Sequence, residues 1–215
     1  TWESLGFVWT FEKDATWQKP FKEDKRAIWA PELHYFKKTF WIAYCVNWPG
    51  GGTGILRSTT GKPEGPYEDI QPSGPLTGGI DASLFRDDDG TVYFVYQNGM
   101  VARMKEDMSG FAETPRLIKP GGGDQVGFEG AFLFKAKGRY YLSCSDFIGP
   151  KDDIQYHGLL ASAERLDGPW SERYIAVPNG GHNMYFKDKQ GRWYSTFFGS
   201  DGHAPFTERP GILRV

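Results

Sequence analysis

The stretch that decides the fold is Glu129-Gly-Ala-Phe-Leu-Phe134, a Lys-Ala-Lys-Gly turn, and then Arg139-Tyr-Tyr-Leu-Ser143. A polar head residue opens an aromatic strand, a Gly-bearing turn breaks it, and a second aromatic strand follows, which is the signature of an antiparallel hairpin. The same arrangement occurs three more times. It reads Glu32-Leu-His-Tyr-Phe36 before Phe40-Trp-Ile-Ala-Tyr44, Asp81-Ala-Ser-Leu-Phe85 before Val92-Tyr-Phe-Val-Tyr96, and His182-Asn-Met-Tyr-Phe186 before Arg192-Trp-Tyr-Ser-Thr196. The heads are 49, 48 and 53 residues apart, a period in the range of propeller blades.

Each unit continues in the same manner. A third strand is predicted at Gly54–Thr59, Met100–Met104 and Gly158–Ala163, and Gly65-Pro-Tyr67 and Gly168-Pro-Trp170 turn the chain toward a fourth, with Ser109-Gly-Phe111 in the middle unit. The expected class is all-β, with radially repeated sheets. Innermost strands then surround a common axis, so heads distant in sequence converge there. Three carboxylates and an imidazole drawn together in a partly dry funnel would shift one another's pKa, which marks the funnel as the candidate site.

Bulk properties agree with one large all-β unit spanning residues 1–215. Of the 215 residues 16% are aromatic, and 28 are Gly, which suits wedge-filling rings and many turns. A net charge of −2 gives no electrostatic footprint for nucleic acid or an anionic membrane, and no apolar run approaches the ~20 residues of a membrane span. Neither partner is implied. Cys45 and Cys144 lie at offsets that turn them to opposite sheet faces in separate blades, so they are expected as buried free thiols.

Trp2–Thr10 is predicted as a strand, the outer end of a blade whose inner strands are not in this chain. Long loops are expected at 47–53, 71–79, 119–127 and 146–157, and single helical turns at 107–109 and 163–167. His34 is read as structural. Asp87-Asp-Asp-Gly90 lacks the remaining ligands of a calcium loop and is read as a solvated hairpin turn; Gly121-Gly-Gly-Asp124 lacks the Gly-Lys-Ser/Thr of a phosphate loop. No Gly-x-Ser-x-Gly elbow is present.

Taken together, Trp29-Ala-Pro-Glu32, Asp81-Ala-Ser-Leu-Phe before Asp-Asp-Asp-Gly, Glu129-Gly-Ala before a Tyr-Tyr strand, Gly181-His182 and the Gly-Pro-aromatic turns resemble glycoside hydrolase family 43. The resemblance spans essentially the whole chain. It implies a five-bladed β-propeller, with the first blade incomplete here, that cleaves arabinose-, xylose- or galactose-containing glycans with inversion. It also implies a secreted or periplasmic monomer with an oligosaccharide or polysaccharide substrate.

By that resemblance Glu129 is the general acid, and Asp81 is the carboxylate that raises the acid's pKa and orients it. His182 is the axial histidine beneath the sugar, holding a water or, through water, a calcium ion; no cofactor is required. Glu32 stands where the family pattern usually has Asp, and Trp29, Ile80 and Phe128 become candidate pocket walls. Arg209 is a candidate for reaching a carboxylate or sugar hydroxyl. The family's general base is an Asp on the first blade's inner strand, normally before a Pro, and no Asp-Pro pair occurs in this sequence.

Inversion requires two carboxyls roughly 6.5–9.5 Å apart, so three explanations stand open. The sequence is a fragment, a short form using another base, or a sugar-binding propeller without turnover. On the first, chain 1–215 alone is expected to hydrolyse pentosides poorly. A kelch-like interaction platform is disfavoured, because it has no need for inward carboxylates.

Overall fold

In the computed structural model of the protein, residue 4 and residues 6–19, 28–46, 51–199 and 210–215 are described. Their fifteen strands form four antiparallel sheets, each running outward in chain order. The first holds β1 (Ile28–Phe36), β2 (Thr39–Val46), β3 (Gly52–Ser58) and β4 (Tyr67–Asp69). The second holds β5 (Ser83–Arg86), β6 (Val92–Tyr96), β7 (Met100–Arg103) and β8 (Arg116–Leu117). The third holds β9 (Glu129–Ala136), β10 (Arg139–Ile148), β11 (Gln155–Ala163) and β12 (Tyr174–Val177), and the fourth β13 (Tyr185–Lys187), β14 (Trp193–Phe198) and β15 (Pro210–Arg214). The architecture is an all-β propeller with four blades among the described residues.

Two kinds of inner hairpin alternate. Lys37-Lys38 and Lys137-Gly138 both carry positive φ at two successive positions, the two-residue turn whose twist matches the strands it joins. The second and fourth blades instead use Asp87-Asp-Asp-Gly90 and Asp188-Lys-Gln-Gly191. In each, the Gly N–H donates to the Asp carbonyl at 3.0 Å, and the side chain of Asp89 or Asp188 accepts further backbone N–H groups.

Blade faces meet through apolar wedges. Phe36, Trp41, Ala43 and Ile55 of the first blade pack with Leu84, Phe94 and Met104 of the second. Val95 and Val101 pack with Leu133, Leu142 and Leu159 of the third, and Phe132 and Leu160 with Tyr185 of the fourth. Phe134 stacks on Tyr185 with centroids 4.5 Å apart, so aromatic contact continues across the last seam.

Four expectations are corrected. Gly6–Thr10, the described end of the predicted first strand, is not a strand: the Thr10 backbone N–H donates to Asp14 Oδ2 at 2.7 Å, closing a turn. Trp9 and Trp17 instead pack on Tyr44 of β2, the blade next in sequence. The expected loop at 146–157 is largely ladder, with Phe147 opposite Tyr156 and Ile148 opposite Gln155. Residues 107–109 and 164–167 make bends and turns rather than helical turns, and Ala163 ends β11. Asp87 is not simply solvated: its carboxylate accepts from the Tyr140 hydroxyl at 2.6 Å and from Lys135 Nζ at 3.1 Å across the blade seam. The cysteines are free and buried, as expected.

Candidate active site

The residue that aims at the axis is set by a backbone feature. One non-strand-like, positive φ recurs near the head of every inner strand, at Ala30 (44°), Asp81 (58°), Gly130 (65°) and His182 (53°). This left-handed kink is uncommon for residues other than Gly and turns successive side chains out of strict alternation. The structural equivalents are therefore Ala30, Asp81, Gly130 and His182, with Glu129 one residue before its kink. Glu32 lies two residues past the kink of β1, beyond a register shift between Trp29 and Glu32.

An open cavity of about 640 Å³ lies at this convergence, lined by Ile28, Trp29, Ala30, Ile80, Asp81, Glu129, His182, Thr196, Phe197, Phe198 and Pro210. Asp81, Glu129 and His182 are thus brought together, with Trp29 and Ile80 as walls. Glu32 does not line the cavity. It is buried behind it, with Oε2 3.2 Å from Nε2 of His34, which in turn receives the Leu84 N–H at 3.4 Å. Phe128 is outside the lining too, its ring stacked against Phe147. Arg209 lies outside the described residues.

The two cavity carboxyls are tied to one strand end. Asp81 Oδ2 accepts the Gly130 N–H at 2.9 Å, and Glu129 Oε1 accepts the Tyr156 hydroxyl at 2.8 Å. A Cβ on Gly130 would lie 3.2 Å from His182 Cα, so glycine lets the third and fourth blades close together here. The His182 N–H donates to Ser145 Oγ, which fixes the approach from the other side. Tyr156 and Ser145 were not singled out from sequence, since their offsets from Glu129 acquire meaning only with the register Glu129 opposite Ser145.

Burial raises the pKa of Glu129; the Tyr156 hydrogen bond opposes this, the Asp81 charge adds to it, and His182 works against it. Burial also raises Asp81, against His182 and the Gly130 N–H and with Glu32. The result is a carboxyl held toward its protonated form beside a second one anchored by a backbone N–H, an arrangement able to deliver a proton into the cavity. Among the described residues no three His, Cys, Asp or Glu side chains come together to hold a metal. The donors present therefore do not form a cage of direct ligands for the calcium considered above, and no step is drawn through it.

The model of glycosyl hydrolases family 43 matches residues 1–215. The chain belongs to this family. Among curated family relatives, a beta-D-galactofuranosidase of Aspergillus niger is 32% identical over 188 residues, covering 75% of this chain and 53% of that protein. A putative beta-xylosidase of Escherichia coli K12 is 25% identical, covering 89% of this chain and 43% of the other. The chain thus spans about half the length of the curated relatives it matches. In fold, an alpha-L-arabinofuranosidase of Clostridium thermocellum superposes with a TM-score of 0.74 at 21% identity, covering 99% of this chain and 74% of that one. An exo-1,5-alpha-L-arabinanase from a bovine ruminal metagenomic library gives 0.70 at 16% identity over 87% and 73%.

Proposed function

We propose that the protein is an inverting glycoside hydrolase acting on arabinose-, xylose- or galactose-containing oligosaccharides or polysaccharides. The observation that carries the reading is the pairing of a proton-holding Glu129 with an anchored Asp81 in one open cavity of a family 43 chain. In the proposed reaction Glu129 gives its proton to the glycosidic oxygen as the bond to the anomeric carbon breaks. Water attacks the opposite face of that carbon and yields its proton to a second carboxylate. Asp81 is a positioning residue whose charge adds to the burial that holds Glu129 toward its protonated form, and His182, Trp29 and Ile80 wall the sugar.

We further propose five blades in a single propeller unit that includes residues 1–215. Leu33 and Tyr35 of β1 are about half exposed or more, and Phe186 and Ile212 of the fourth blade are exposed too, so both flanks offer an apolar face for another sheet. A monomer acting outside the cytoplasm is proposed on the family likeness alone. Binding of an axial calcium through water at His182 stays a proposal of the same kind.

A second reading, sugar binding without turnover, is favoured by one observation: Asp81 and Glu129 are the only carboxyls lining the cavity among the described residues. Turnover of aryl α-L-arabinofuranosides, β-D-xylosides and β-D-galactofuranosides by the full-length protein decides between them. We expect hydrolysis of one class that Glu129→Gln reduces by about 10²–10⁴-fold. Binding of oligosaccharide with no turnover of any class would overturn the hydrolase reading.

A further inference from the structure

A row of rings leads outward from the acid. The Tyr156 hydroxyl contacts Glu129, the Tyr156 ring lies 4.8 Å from that of Phe147, and Phe147 stacks on Phe128 at 5.8 Å with planes 23° apart. Tyr156 is 1% exposed, whereas the two outer rings are open, Phe147 43% and Phe128 37% exposed. Two stacked, exposed phenylalanines next to the tyrosine that holds Glu129 form an apolar patch that folding alone does not explain.

The patch is also held rigidly. Phe147 pairs directly with Tyr156 in the β10–β11 ladder, which continues to Ile148. Phe128 is fixed by its N–H to Ser145 O at 2.8 Å, and Gly127 permits that approach, since a Cβ there would sit 2.5 Å from the same carbonyl oxygen. Arg173 clamps the segment from behind, donating to Val126 O at 3.0 Å and to Asp146 Oδ2 at 2.8 Å. Rings fixed in this way lose little entropy when something lies on them.

We propose that Phe128 and Phe147 form a stacking platform for the sugar on the leaving-group side of the cleaved bond, making them residues that select an oligosaccharide over a simple glycoside. This rests on the reading of Glu129 as the acid. A general acid must touch the bridging oxygen, so the departing sugar lies on the acid's side of the cavity. Asp81, His182 and Trp29 line the cavity itself and belong to the sugar that is attacked. The platform begins one side chain, Tyr156, beyond Glu129, and the C–H face of a furanose or pyranose ring is the chemistry such a surface accepts.

The test uses the full-length protein and its Phe147→Ala, Phe147→Leu and Phe128→Ala variants, with melting temperature reporting folding. For an oligosaccharide and the methyl glycoside of the same sugar, kcat/KM for the oligosaccharide should fall about tenfold more than that for the methyl glycoside. Equal losses on both substrates, or none, overturn the platform. Oligosaccharide affinity measured by calorimetry in a Glu129→Gln background separates the two readings. Weaker binding in Phe147→Leu or Phe147→Ala supports the platform even where the parent protein turns nothing over, an outcome that sinks only the hydrolase reading. Unchanged affinity in the folded variants sinks the platform alone.

Discussion

Tyr156→Phe removes one hydroxyl from the site and leaves the ring, and its effect on Glu129 can be worked out from the hydrogen bond between them. The hydroxyl donates to Glu129 Oε1 at 2.8 Å and holds the pKa of that carboxyl down against burial. A hydrogen bond to an ionised group is worth about 1.5–3 kcal/mol and one to a neutral group about 0.5–1.5 kcal/mol. The carboxylate therefore loses about 1–1.5 kcal/mol more than the protonated acid when the hydroxyl goes. At about 1.4 kcal/mol per unit, the pKa of Glu129 should rise by about one unit.

The working form of a general acid is protonated, so activity is lost as pH climbs through its pKa. The alkaline limb of kcat/KM against pH, which reports the free enzyme, should move up by about one unit in Tyr156→Phe. The rings packed on Tyr156 keep their partner, and Ser145 loses its contact with the hydroxyl but retains the His182 N–H, so the fold should hold. A limb that stays in place or moves down in a variant with unchanged melting temperature would refute Glu129 as the group that titrates there.

Asp81→Asn should shift the same limb the opposite way, to lower pH, because it deletes the negative charge that helps raise Glu129 while keeping an oxygen for the Gly130 N–H. Glu129→Gln should raise the melting temperature at neutral pH by about 1–3 °C, measured by calorimetry. Because the folded pKa of Glu129 lies above its unfolded value, the folded state is relatively favoured below the unfolded pKa and loses that advantage as pH rises through the folded one. The gain should vanish below pH of about 4. A thiol reagent should label neither Cys45 nor Cys144 before unfolding, since both are buried and burial pushes Cys45 to about 11 and Cys144 higher still.

The blades were legible in sequence because they rest on local signals. Alternating aromatics fixed the inner hairpins, and Gly-Pro-Tyr67 and Gly-Pro-Trp170 fixed the turns to the outer strands. Asp81, Glu129 and His182 were found for the same reason, as polar residues heading apolar runs. Tyr156 was missed because it acquires its role from strand register rather than from its neighbours, and the pairing of Phe147 with Tyr156 was hidden by a composition, Asp-Phe-Ile-Gly-Pro-Lys-Asp-Asp, that reads as loop. Asp87 was misjudged on similar grounds, as its partners Lys135 and Tyr140 stand about 50 residues away on the next blade.

Glu32 shows how a repeat can mislead about chemistry while being right about architecture. It heads the run Glu32–Phe36 as Asp81 heads 81–85, and the spacing of 49 residues put it at the same station. What sets the station is the left-handed kink, not the start of the apolar run, and in β1 that kink belongs to Ala30. An alanine there presents a methyl group to the cavity where the other blades present a carboxyl, a backbone N–H beside Glu129, and an imidazole. The first blade thus supplies apolar wall through Ile28, Trp29 and Ala30, and its carboxylate, turned back to His34, helps raise Asp81 through its charge. Glu32 is not among the groups that shift Glu129, so Glu32→Gln is expected to leave the protonation of Glu129 nearly as it was. If that substitution abolished turnover while the fold and the alkaline limb stayed intact, Glu32 would be the base, and the cavity would have to open behind Ala30 to admit it.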